Sequence, residues 1–418
     1  MRQFLITGVI TLTLSLLPFA AGAETVAITG GKVMTMGKSG VIENGTVLIE
    51  DGKIKQVGKD ISVPKNARVV DATGKVVVPG FMSSHTKIGL SEISLTKDSN
   101  NHSAKEAPFS AAFDVRYGLN PETVEVANNR AEGLTRAVAA PGGSDRLFAG
   151  SGAVVTLSSG LHAVRGPVFA HLDDGGNAGV AWNRMRIILD QVKAYAKNRS
   201  DVLEGDGRSG FLLTLEDMEA LIPVVRGERK LALALERAAD IRQAIALKEE
   251  YDLDLVLLDV PEAWKVAGDL AAAEIPVVID AQADLPYQFT SLGSTLNNAA
   301  RLEKAGVTFA ISGLGETHRA YLVNQWAGLA VAHGLSYEGA LKAITVNPAK
   351  IFGIADSYGT LEKGMEADVV VWDGDPLEVT SNPEHIFVRG VEYLRVSRKT
   401  MLRDRYMKLD PDMPHAYH

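Results

Sequence analysis

The chain has 418 residues, 46% of them hydrophobic, with a net charge of −8 and no cysteine. That length supports one large domain with a smaller companion, and the missing thiols exclude disulfide staples, thiolate metal ligands and thiol nucleophiles. The acidic balance, without any basic run, speaks against nucleic acid or an anionic membrane surface as the main partner.

Residues 1–23 have the pattern of a cleavable export signal, with Arg2 at the start, an apolar run from Phe4 to Leu17, and Ala21-Gly22-Ala23 as a small-residue cleavage site. They predict a periplasmic or secreted protein. With no cysteine after that site, no lipid anchor is expected there. No later stretch reaches the ~20 apolar residues of a spanning helix, so no membrane span is expected. Residues 24–78 read as a small β unit. In GTVLIEDGKIKQVG the apolar positions alternate on both sides of Asp51-Gly52, a dipeptide that favours a two-residue hairpin turn.

From 79 to 355 strand-like runs alternate with helical ones. Strands are expected at 76–82, 134–139, 153–157, 168–171, 231–235, 255–259, 276–280 and 308–312. Helices are expected at 178–197, 238–250, 262–273, 295–305, 319–333 and 337–346. Eight strands with intervening helices predict an α/β fold of the (β/α)₈ TIM barrel type. Residues 356–418 return to strand pattern, KTMLRDRY included, so both termini are expected to combine into one small β-sandwich beside the barrel.

Two stretches resemble a known family. VVVPGFMSSHTKIGL, from Val76 to Leu90, is similar to the first-strand motif of the amidohydrolase superfamily, which ends in His-x-His. ITVNPAKIFGIADSYGTLEKGMEADVVVWDGDP resembles its closing segment, and the stretch from Glu236 to Asp280 resembles strands five to seven of its imidazolonepropionase-like branch. The resemblance implies a binuclear metal site with two imidazoles on strand one, a carboxylated Lys or a Glu on strand four, a His on each of strands five and six, and an Asp on strand eight. His85 matches the first of these positions and Lys87 replaces the second. Strand four falls around residues 168–170 with no Lys or Glu, Ala234 stands on strand five, Asp259 on strand six, and Gly313 or Leu314 on strand eight. A hydrolytic zinc needs at least three protein ligands and an open position, so no confident metal site is expected. A single zinc at partial occupancy stays open as an alternative.

The remaining residues with chemistry lie near the expected mouth. His85, Lys87 and Asp259 form the candidate remnant site, and Glu236, Asp280 and His171 are candidate ligand-binding residues. His85 reads either as a ligand or general base, or as a hydrogen-bonded histidine kept for packing. Lys87 is long enough to reach the vacated metal position and pair with Asp259, or else extends into solvent. His171 could join Asp173 and Asp174 in an N/O cluster, or sit in a solvated Asp-Gly loop. The mouth acids, Glu316 included, and the cations Lys87, Arg237 and Arg319 read either as acid–base catalysts or as mutually neutralising ion pairs. His318 is expected to open the next helix and His333 to close it, while His102, His162, His385, His415 and His418 fall in loops or the tail. APGGSDRLFAGSGA, from Ala140 to Ala153, lacks phosphate-loop spacing and reads as a pocket-lining βα loop, and no G-x-S-x-G elbow is present.

Two functions remain open on this reading. One is a catalytically impaired amidohydrolase homologue that binds a small molecule or serves as partner subunit, in a homo-oligomer or with a related amidohydrolase. The other is an active hydrolase of non-peptide C–N bonds, such as cyclic amides, using a single metal or an acid/base pair.

Overall fold

The computed structural model describes residues 24–93, 95–143, 146–172, 177–204 and 210–407. The signal-like leader, Asp173, Asp174, His415 and His418 lie outside the described residues. The N-terminal unit holds β1 (Val26–Met34), β2 (Val41–Glu50), β3 (Lys53–Gly58), β4 (Arg68–Asp71) and β5 (Val76–Pro79). Asp51 and Gly52 both adopt positive φ, 52° and 74°, as the two-residue turn between β2 and β3 requires.

The barrel follows as β6 (Phe81–Thr86), β7 (Leu134–Ala139), β8 (Phe148–Thr156), β9 (Ala163–His171), β10 (Leu231–Ala234), β11 (Leu255–Leu258), β12 (Val277–Ile279) and β13 (Phe309–Ile311). These eight pair in sequence order, so the expected strands all form one sheet. One direction differs from a regular (β/α)₈ barrel, because β8 runs antiparallel to both β7 and β9. The reason is connection length. A parallel crossover takes a dozen or more residues, whereas residues 140–147 and 157–162 allow only tight returns. The glycine-rich segment is therefore a loop only over its first half, and Phe148 to Ala153 is strand. The sheet's two edges meet through Ser312, whose Oγ accepts the His85 N–H at 3.1 Å, and through the Gly315 N–H, which donates to the His85 carbonyl at 2.9 Å. Apolar side chains fill the interior, among them Met82, Val138, Phe169, Ala232, Val256 and Ala310.

The helix Ala178–Lys197 has the expected bounds, with Asn177 as its N-cap, and His333 caps the end of Val323–Ala332 as expected. His318 does not open a helix. The first turn begins at Ala320 with Arg319 as its cap.

The tail supplies β14 (Val369–Trp372), β15 (Pro383–Val388) and β16 (Val391–Tyr393), and β14 pairs with β5, joining both termini in one eight-stranded sheet. Backbone bonds from Ile54 to Met365 and from Gly364 to Ile54 fold this sheet around its own core of Val26, Ile28, Ile49, Val369 and Phe387. The expected strand at KTMLRDRY is instead the helix Arg398–Met407. Lys, Met, Leu and Arg are good helix formers, and Ser397 and Thr400 exchange side-chain-to-backbone bonds that start it.

Candidate functional site

The mouth is set by a slip in register. Ser83 pairs with Ala137 and Thr86 with Ala139, so β6 carries one residue more than β7 over that interval. Such a bulge re-aims a side chain. Here it sends the His85 ring over the buried Phe169 of β9, with centroids 5.6 Å apart and planes at 27°. Burial, aided by His171 and Lys87, pushes the imidazole down to about 3, so it is neutral at physiological pH, and its Nδ1 is cut off from solvent without a hydrogen bond.

Lys87 lies just beyond β6, half-buried, and burial lowers its pKa. Among the described residues its ammonium has no ion pair and no hydrogen bond, so the expected pair with Asp259 is not made. Arg and Lys charges are tolerated in protein interiors when a carboxylate sits against them, and among the described residues none does so here. Its charge acts instead on His85 and on His102, whose pKa burial lowers first and Lys87 second. Sequence reasoning placed His102 in a loop and gave it no part in the site. The ring fits because Gly142 has no Cβ, the His102 carbonyl accepting the Gly142 N–H at 2.6 Å. The glycine pair after β7 was the available signal.

Across the mouth lie the acids. Asp259 follows β11 in left-handed conformation, φ 52°, and is raised to about 6 by burial first and then by Glu236 and Asp280. Glu236 accepts hydrogen bonds from Tyr287 Oη at 2.8 Å and from Gln288 and Thr290, all from the loop after β12. Asp280 accepts the Gln282 N–H at 2.8 Å and is raised by burial. A cavity of about 350 Å³ opens here, lined by His171, Leu235, Glu236, Arg237, Asp259 and Thr290 among others. The cations expected to neutralise this rim are engaged elsewhere, Arg237 with Asp240 at 2.6 Å and Arg319 with Glu316 at 2.7 Å. Among the described residues none of Glu236, Asp259 and Asp280 makes an ion pair, although the Arg237 charge is near enough to Glu236 to be felt there. A second cavity, about 440 Å³, lies at the opposite end of the barrel near the paired Lys230 and Asp254, where barrels keep stability rather than chemistry.

The six positions implied by the family resemblance are thus filled by His85, Lys87, Phe169, Ala234, Asp259 and Leu314. Phe169 takes the inward place on strand four, and Leu314 packs toward the barrel interior while the face of Gly313 is covered by Trp326. Among the described residues no three His, Asp or Glu side chains are placed to hold one ion. A phenyl ring, a methyl group and an isobutyl group supply no donor, so these residues do not fit a binuclear centre.

Known proteins bear on the assignment. Residues 269–398 match the model of the amidohydrolase family. The amidohydrolase tasK of Hapsidospora irregularis is 21% identical over 83% of this chain, which spans only 39% of that protein's length. The imidazolonepropionase of Clostridium tetani is 24% identical, the alignment covering 80% of this chain and 86% of that protein. The crystal structure of an amidohydrolase from Thermotoga maritima superimposes with a TM-score of 0.79 at 27% identity, over 89% of this chain and all of that one, 100%. The barrel, the two-ended β sheet and the strand-one and closing motifs are thus similar to those of amidohydrolases, and the family's own model matches the closing part of the chain.

Proposed function

We propose that this chain is an amidohydrolase-family protein whose barrel mouth serves as a ligand pocket that works without the binuclear hydrolytic centre. The observation that supports the reading is the stacking of Phe169 on His85, which puts an aromatic ring where a bridging carboxylate or carbamate would stand. The pocket's acids favour a small molecule rich in N–H donors or carrying positive charge, since Asp259 and Glu236 repel each other. Elemental analysis of protein purified without chelators tests this. Well under one transition-metal ion per chain is expected, and about two zinc ions per chain, the number a binuclear site holds, would overturn it. We also propose that the protein is exported, which N-terminal sequencing from the native host checks by a start at Glu24.

A second reading has its own support. Asp259, raised to about 6, stands beside Glu236, which three donors hold. A carboxyl raised into that range beside a second carboxylate can serve as general acid or base, here for hydrolysis of a cyclic amide. Turnover of a hydantoin by chelator-treated protein, lost in Asp259→Asn, would favour this reading over simple binding.

A further inference from the structure

The loop after β12 is strapped across the mouth. Strands β10, β11 and β12 are neighbours in that order, with Glu236 following the first and Asp259 the second. Tyr287, Gln288 and Thr290, beyond the third, all donate to Glu236, so residues 284–290 pass across the end of β11 and over Asp259. Among the described residues, these are the hydrogen bonds that tie that segment to the barrel. Its returning end is fixed, because Ser291 is fully buried and Trp264 Nε1 donates to the Gly293 carbonyl at 2.8 Å. Gln288 and Thr290 thereby roof the cavity of about 350 Å³, whose apolar wall is Leu172, Ala178, Ala234 and Leu235. The strap's donors occupy Glu236. Asp259, which also lines the cavity, accepts no hydrogen bond among the described residues, and its oxygens are not sealed off from solvent.

We infer that the pocket selects a small organic cation, an ammonium or amidinium on an apolar body, whose charged head sits on Asp259 beneath residues 284–290. This rests on the metal-independent reading above and narrows its ligand class. A neutral N–H donor would satisfy the Asp259 oxygens but leave two neighbouring carboxylates uncompensated in a roofed site, whereas a positive head relieves their repulsion as well. The pocket's own cation does not supply that charge, because Arg237 is held on Asp240 at 2.6 Å. A metal ion is a poor match. Hard cations take about six or more oxygens, and among the described residues no three His, Asp or Glu side chains are placed around one point. An ammonium or amidinium needs fewer acceptors, and an amidinium can give one N–H to each oxygen of a single carboxylate. The ligand's alkyl or aryl body then lies against Leu172, Ala178 and Leu235, the combination of apolar wall and few convergent polar groups by which small-molecule sites hold their ligands.

The test is calorimetric titration of the full chain with benzamidine and with benzamide, its neutral near-isostere. At pH 8 Asp259, which titrates at about 6, is ionised. Benzamidine should bind about tenfold or more tightly than benzamide, the difference that a hydrogen bond to a charged partner makes. Asp259→Asn should abolish the preference, Asp259→Glu, which keeps the charge, should retain one, and Asp254→Asn, at the opposite cavity, should leave it as in the wild type. Equal affinities in the wild type, or no measurable benzamidine binding, overturn the inference. So does a preference that survives Asp259→Asn, or one that Asp254→Asn removes. Metal content measured on the same sample separates this inference from the reading beneath it. Metal-free protein without the preference ends only the cation inference, whereas about two zinc ions per chain end the reading on which it rests, and the inference with it.

Discussion

Two cations inside this barrel have opposite surroundings. Arg136 on β7 reaches the seam with the terminal sheet, where its guanidinium bonds Asp368 at 2.7 Å, Thr156 at 2.6 Å, and Glu366, and lies over the Tyr358 ring with its carbon 5.0 Å from the centroid. Attraction from Asp368 and Glu366 outweighs burial and raises its pKa. Lys87, past the end of β6, has burial without compensation, and its pKa falls. The barrel thus places a saturated charge where two sheets must be locked together, and leaves unsaturated ones where its loops open. A buried charge that is fully paired fixes geometry, whereas one that is not retains the capacity to react or to bind.

The sharpest way to break this contrast is Arg136→Met. It strands Asp368, 2% exposed, and Glu366 without their cation, so urea unfolding should show a loss of about 3–5 kcal/mol. A loss under about 1 kcal/mol, the size of a surface pair, would mean that the seam is not locked by charge.

The mouth should behave in the reverse sense. Asp259 titrates at about 6 when folded against an ordinary 3.8, so the native state holds its proton more tightly than the unfolded chain. Stability then falls as pH rises from about 4 to about 6 and stays lowered above that, by up to about 3 kcal/mol. Asp259→Asn should therefore stabilise the protein by up to that amount at pH 8 and leave it unchanged at pH 3. An Asn variant that is less stable at pH 8 would reveal a partner for the carboxylate. His85 has the opposite slope. Its folded value near 3 lies below the ordinary 6.5, so its contribution is intact above pH 6.5 and is lost as pH falls toward 3, about 2 kcal/mol by pH 5. His85→Gln should flatten that acid limb in a pH series of unfolding curves. Because the two slopes oppose each other between pH 4 and 6, the wild-type curve alone can look flat, and only the single variants resolve them.

The smallest effect is expected at Lys87. With no partner to strand, Lys87→Met should change stability by under about 0.5 kcal/mol, or stabilise slightly. A loss in the range of about 3–5 kcal/mol would expose a buried pair and erase the contrast with Arg136.

Much of this architecture was legible because its signals are local. Asp51-Gly52 specifies its hairpin through the φ values that it tolerates, the helix Ala178–Lys197 follows from its 3.6-residue periodicity and the Asn177 cap, and eight apolar runs mark eight strands. The replacement of histidine by Lys87 and Ala234 was equally plain, since a motif position is read by counting. The direction of β8 was also within reach, through the lengths of its two connections. Arg398–Met407 was misread because a short charged segment without burial has no periodic imprint that separates strand from helix. What only the tertiary structure decided is which groups meet. The β6 bulge turns His85 onto Phe169, the missing Cβ of Gly142 lets His102 in beside Lys87, and the left-handed Asp259 faces Glu236 rather than the lysine. Each depends on a register slip or a backbone approach of a few ångströms between segments distant in sequence. The local pattern fixes elements, but long-range packing fixes distances, and electrostatic chemistry depends on distance.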